Sequence, residues 1–268
     1  MPTLDNIDRL HEGEEIIRKE SLRRIGERPD TAAHLVMIEQ SMNLLHALLP
    51  TTEETDADQL TLGNLGIRCF NSLAACLKLG LAGYYQAAAL HIRDLLEVAF
   101  LFDYLSIDAA LVTEWRTLPD RDREKRFSPV VIRIALDKRD NFADEKRKAA
   151  YKLLCKLAGH ATPEGAVMLA PDPSKGTVHC GPYLEMNTLH AVISEAALTA
   201  VQAAGEFRTL MKVDDVESLA VRLSFMHAEA AWLKRFYDRE PDHAKLAQLR
   251  EWLELARAQE AKSGKASE

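Results

Sequence analysis

Between Gly83 and Ser106 the chain reads GYYQAAALHIRDLLEVAFLFDYLS, a stretch long enough for a single helix and apolar on nearly every side. A helix that is hydrophobic all round belongs in the interior of a fold. Its polar residues are not scattered. Gln86, Arg93, Glu97 and Tyr104 follow one another at spacings of seven, four and seven, which sets them on one stripe of a 3.6-residue helix. A core helix with a charged line must find partners for that line, and this requirement shapes the rest of the chain. Arg93, Asp94 and Glu97 near the middle argue against a membrane span, since each would cost roughly 2.5–3.5 kcal/mol at a bilayer centre. The expected role is the central helix of a bundle.

Alanine and leucine dominate a chain with only 12 glycines in 268 residues, and no segment alternates as a strand would. The expectation is therefore all-α: one helical domain over residues 1–258 and a disordered tail over 259–268. Helices are expected over Leu4 to Gly26, then from a cap at Asp30 to Pro50, and from Leu60 to Leu79. Gly80 and Gly83 bracket a turn so short that the third helix and the central one must run antiparallel. Asp108 can cap a short helix that stops at Pro119. Ser128-Pro129 starts another, a proline being favoured at the first helical position. A helix from Asn141 is expected to end at Gly159 as its C′ residue. The loop from Pro171 to Pro182 has room for a short hairpin. Long helices follow over about Tyr183 to Met211, Val216 to Tyr237, and beyond Pro241 to Ala258.

The four cysteines form no C-x-x-C pair, and the opening MPTLDNIDRLHEGEE lacks an apolar segment. A reduced, cytoplasmic setting without a targeting segment is expected. Net charge is −7, against a generic nucleic-acid coat, yet Arg116 to Lys156 holds thirteen Lys/Arg against seven Asp/Glu. That balance of +6 marks either a partner-facing surface or a set of solvated helix faces.

Arg93 and Glu97 stand i, i+4 on the central helix. They are either an internal ion pair that fixes helix register or part of a functional site. His160, just past Gly159, and Tyr151, on the apolar face of the preceding helix, are the residues expected to join them. Alternatively, His160 only bonds the last carbonyls of its own helix. No H-E-x-x-H, P-loop, G-x-G-x-x-G or G-x-S-x-G is present. No metal and no cofactor are expected.

R-x-x-x-E on a buried helix (Arg93, Glu97), the segment YKLLCKLAGH (Tyr151 to His160), a Pro/Gly-containing loop and a long amphipathic helix together resemble a set of bacterial all-helical proteins related to HEPN domains. The resemblance covers roughly Asn64 to Met211. It implies a helical bundle, commonly a homodimer. It also implies either a metal-independent ribonuclease of toxin–antitoxin and phage-defence systems or a descendant that only binds. The active signature, Arg then four to six residues then His, is matched in spacing by Arg222 to His227 and by Arg28 to His34. On a continuous helix the five-residue spacing of Arg222 and His227 sets the side chains about 140° apart. Leu223 also stands where the active family usually has a polar residue. In a ribonuclease a histidine would act as general acid or base, an arginine would stabilise the phosphate charge, and the basic stretch 116–156 would steer RNA. Two expectations follow. One is an RNA-binding or RNA-cleaving protein of stress or defence. The other is a non-catalytic helical module that takes a cognate protein partner or small ligand around Arg93, Glu97, Tyr151 and His160.

Overall fold

The computed structural model describes residues 4–50, 54–143, 145–212 and 215–264. Among them the chain is all-α, without a strand. Its first four helices are α1 (Asp5–Gly26), α2 (Pro29–Ala47), α3 (Ala57–Leu81) and α4 (Tyr85–Leu105). Four shorter ones follow: α5 (Ala110–Thr117), α6 (Asp120–Phe127), α7 (Pro129–Arg139) and α8 (Lys146–Leu154). α8 runs on as one π-helical turn (Cys155–Gly159), and two 3-10 segments (Pro163–Leu169, Pro173–Lys175) lead to α9 (Met186–Leu210), α10 (Val216–Tyr237) and α11 (His243–Gly264). No helix among the described residues is long and apolar enough to cross a membrane.

The central position of α4 follows from its composition. Thirteen of its 21 residues are buried, on every side of the helix. α3 and α9 pack along it on one side, with α2 across α9 and α10 across α2. Phe102 of α4 meets Phe207 of α9 with ring centroids 5.4 Å apart. Gly66 of α3 admits the Phe207 ring, for a Cβ there would lie 2.6 Å from its Cζ. Each such fully buried large side chain contributes about 1.5–3 kcal/mol. Against the remaining side of α4 lie α7, α8, the π turn and the first 3-10 segment, a second and more polar layer. The α3–α4 turn depends on Gly83, whose φ is +89° and whose missing Cβ would stand 2.4 Å from the Tyr183 carbonyl oxygen.

Several boundaries differ from expectation for local reasons. Asp30 does not cap α2. The helix starts at Pro29 with Arg28 in the cap position, and Asp30 pairs with Arg235 at 2.8 Å instead. α3 starts earlier than expected because Asp56 accepts the backbone N–H groups of Asp58 and Gln59. Asn141 does not begin a helix. It and Glu145 are left-handed (φ 55° and 46°), and α8 starts at Lys146. The segment 171–182 holds one 3-10 turn rather than a hairpin. α11 continues past Ala258 to Gly264. Positions 51–53 of the TTEETDAD loop, 213–214 of the turn before α10 and 265–268 of the expected tail lie outside the described residues.

Candidate functional site

Each member of the α4 stripe finds a partner in the second layer or in α6, which packs on α7. Gln86 Nε2 donates to the carbonyl oxygens of Leu157 and Gly165, both at 3.0 Å, tying the π turn to the first 3-10 segment. At the other end the Tyr104 hydroxyl accepts from Arg126 of α6, whose guanidinium also reaches Glu114 of α5 at 3.3 Å. Between them lies the cluster itself. Arg93 donates to Glu97 Oε1 at 2.9 Å, to Cys155 Sγ at 3.1 Å and to the Tyr151 hydroxyl. Tyr151 in turn donates to Glu97 Oε1 at 2.5 Å. Tyr151 and Cys155 are four residues apart, so both face α4 from one side of their helix.

Burial and the bond to Glu97 push the Tyr151 phenol up to about 12, so it is a neutral donor at physiological pH. Burial works against the charge of Arg93, but the Cys155 contact and the Glu97 carboxylate hold its pKa above the ordinary value. The cluster is thus a closed hydrogen-bonded set around an ion pair, with both side chains less than a third exposed. On the other side, Arg133 of α7 lays its guanidinium 4.1 Å from the Tyr151 ring centre, inside cation–π range. Arg133 is buried, and its Nη1 has no hydrogen-bond acceptor among the described residues.

Gly159 does not act as a left-handed helix terminator. It lies inside the π turn, without a positive φ, and a Cβ there would stand 2.9 Å from Arg93 Cδ. The glycine makes room for the arginine. His160 follows it, donates its backbone N–H to Cys155 O at 2.9 Å, and exposes its side chain. The imidazole makes no hydrogen bond, ion pair or ring contact among the described residues. The structure therefore brings Arg93, Glu97 and Tyr151 together, adds Cys155 and Arg133, and leaves the His160 ring outside the bonded set.

The two Arg-to-His spacings are not assembled into sites. Arg222 donates to the carbonyl oxygens of Arg208 (2.6 Å), Met211 (2.7 Å) and Lys212 (2.8 Å), closing the C-terminus of α9. His227 is exposed and lies 3.4 Å from Arg250 of α11. Arg28 reaches Met186 O, whereas His34 is buried, accepts from Trp232 Nε1 at 3.1 Å and stacks on Phe236. The basic stretch is mostly engaged. Arg116, Arg123, Lys125, Arg126, Arg139, Arg147, Lys148 and Lys156 each pair with a carboxylate of the same chain. Among the described residues no three His, Cys, Asp or Glu side chains converge as metal ligands.

Beside the cluster lies a cavity of about 180 Å³ between α3, α4 and the α5–α7 helices. Its walls include Phe100, Leu101, Trp115, Phe127 and Ile132, with Arg68 and Glu97 as its charged groups. Both bonds to Glu97 end on Oε1, while Oε2 accepts none among the described residues. Compared with protein-family models, with curated proteins and with solved structures, the chain matches none.

Proposed function

We propose that the chain is a non-catalytic helical module that binds a small molecule at Glu97. The ligand would have an apolar, ring-sized body and a hydrogen-bond-donating head. One observation carries the reading: Glu97, fixed through Oε1 by Arg93 and Tyr151 and with no donor on Oε2 among the described residues, lines an aromatic-walled cavity. A fixed carboxylate is pre-organised, so little side-chain entropy is lost when a ligand donates to it. The volume is close to that of an apolar cavity known to accept one benzene ring, about 150 Å³. Trp115, Phe127 and Ile132 supply the apolar contact, and Oε2 supplies direction. Binding is favoured over RNA cleavage because the exposed His160 ring stays outside the bonded set around Arg93 among the described residues, and because most of the 116–156 basic side chains are occupied by carboxylates.

The test uses benzylamine and benzoate, which match in size and oppose in charge. Titration of the labelled chain should shift the Trp115 indole N–H resonance saturably with benzylamine. The shift should be absent with benzoate and abolished by Glu97→Gln. Equal response to both probes, or a response that survives Glu97→Gln, would overturn the assignment.

A further inference from the structure

α10 packs on α2, and α11 packs on α10, so the last two helices form an arm laid on the bundle through α2. At the first end of that arm Arg222 donates to the carbonyl oxygens of Arg208, Met211 and Lys212, at the close of α9. Arginine keeps its charge and carbonyls do not titrate, so these bonds are indifferent to acid.

The other end is held differently. Trp232 and Phe236 of α10, four residues apart on one helix face, close on His34 of α2. Trp232 Nε1 donates to His34 Nδ1 at 3.1 Å, and the Phe236 ring stacks on the imidazole with centroids 4.1 Å apart. His34 and Trp232 are each only 4% exposed. An indole N–H can only donate, so this bond requires an unprotonated Nδ1. A proton there would set donor against donor and place a charge out of reach of water. The surroundings do not welcome that charge. His190 of α9 stands 5.6 Å away, ring to ring, with its Nδ1 on the Thr31 hydroxyl at 2.8 Å. Arg235 of α10 adds a positive field, and Asp30 of α2, the carboxylate that acts on the ring, is already paired with Arg235 at 2.8 Å. Burial, then His190, pushes His34 down to about 4. A second tie leans the same way. Glu229 of α10 meets Arg208 of α9 at 3.4 Å, and burial raises its carboxyl above the ordinary range against the fields of Arg208, Arg239 and Lys245. Acid therefore discharges Glu229 early and weakens its hold on Arg208. The remaining tie, Asp30 to Arg235, is a solvent-exposed pair and contributes little.

We propose that the Trp232–His34 contact is a proton-operated latch: acid releases the α10–α11 arm from α2, with the Arg222 end as its hinge. In the open arm His34 meets water and takes a proton near its ordinary value of about 6.5. The closed arm excludes that proton down to about 4. Opening is therefore favoured as the pH falls from about 6.5 toward 4, and from this imidazole alone it is roughly twentyfold more favoured at pH 5 than at pH 7. The contact of Phe102 on Phe207 between α4 and α9 is apolar, so it supplies a reference that acid leaves in place.

Amide hydrogen exchange of the full chain, read by mass spectrometry at pH 7 and pH 5 and corrected for the intrinsic effect of pH on exchange, tests this. Protection in the second half of α10 and in α11 should fall at least about tenfold at pH 5 relative to α4 and α9. In His34→Gln the side-chain amide oxygen still accepts from Trp232 but does not titrate, and the fall should shrink to about threefold or less, the part left to Glu229. The comparison of segments within the parent chain requires no variant to fold. Protection that falls equally in α4, α9 and the arm, protection in the arm that does not fall, or an undiminished fall in His34→Gln would overturn the proposal.

Discussion

Replacing Arg93 by methionine keeps an unbranched apolar side chain on α4 and removes the cluster's cation. Three hydrogen bonds disappear, to Cys155, Tyr151 and Glu97, and the half-buried Glu97 keeps only the tyrosine as a donor. Net values for hydrogen bonds to charged groups are about 1.5–3 kcal/mol each in favourable cases. The bonds here share one guanidinium, and the ion-pair side chains are 22% and 25% exposed, so solvent screening trims the sum. A loss of about 2–3 kcal/mol is expected. At about 2–4 °C per kcal/mol for a domain of this size, the melting temperature should fall by roughly 4–12 °C. Circular dichroism at a helical wavelength reads the shift. The companion double variant, Arg93→Met with Glu97→Leu, takes both charges out and should recover at least half of the loss, because the orphaned carboxylate is the main penalty. A melting temperature within about 1 °C of the parent for Arg93→Met would refute the claim that the α4 stripe fastens the second layer. So would a double variant whose losses simply add.

Three further outcomes follow from the same packing. Burial and neighbouring His190 push His34 down to about 4 from 6.5, so the native ring resists the proton that the unfolded chain accepts below pH 6.5. Stability present at pH 7 should therefore be lost as the pH falls from about 6.5 toward 4. Roughly 2 kcal/mol should be gone by pH 5, and urea midpoints of His34→Gln should show a flatter fall over the same window than the parent. Gly83→Ala combines a φ of +89° with a clash against the Tyr183 backbone, and expression as soluble protein with a Tm near the parent's would count against the described turn. Of the four cysteines, Cys180 is exposed while Cys69, Cys76 and Cys155 are buried, and burial drives the Cys76 thiol up to about 12. A thiol reagent should find one fast group in the native chain and four in denaturant, and two or more fast groups would contradict the packing.

The central helix was legible because its signal is local: an apolar run with polar residues at helical spacing can pack in few ways. Arg93, Glu97 and Tyr151 were legible as partners for the same reason, since each shows its face through periodicity. Gly159 was not. Its place in the sequence, after a helical run and before a histidine, suits a terminator, yet what selects glycine is an arginine side chain 66 positions away. Arg133 and Cys155 were hidden likewise, because no local pattern says which face of α7 or α8 meets α4. The start of α8 was obscured because Asn141 suits a helix start by residue type, whereas it and Glu145 both take the left-handed region. The Arg222 to His227 spacing looked like chemistry, but the arginine closes the end of α9.

The account rests on the α4 cluster being a fixed binding wall rather than a reaction centre. Incubation of the purified chain with total RNA in the presence of EDTA, beside His160→Ala and Arg222→Ala/His227→Ala, tests that most directly. The account predicts intact RNA in all three. RNA cut by the parent chain and spared by His160→Ala would contradict it and make the exposed histidine a catalytic residue.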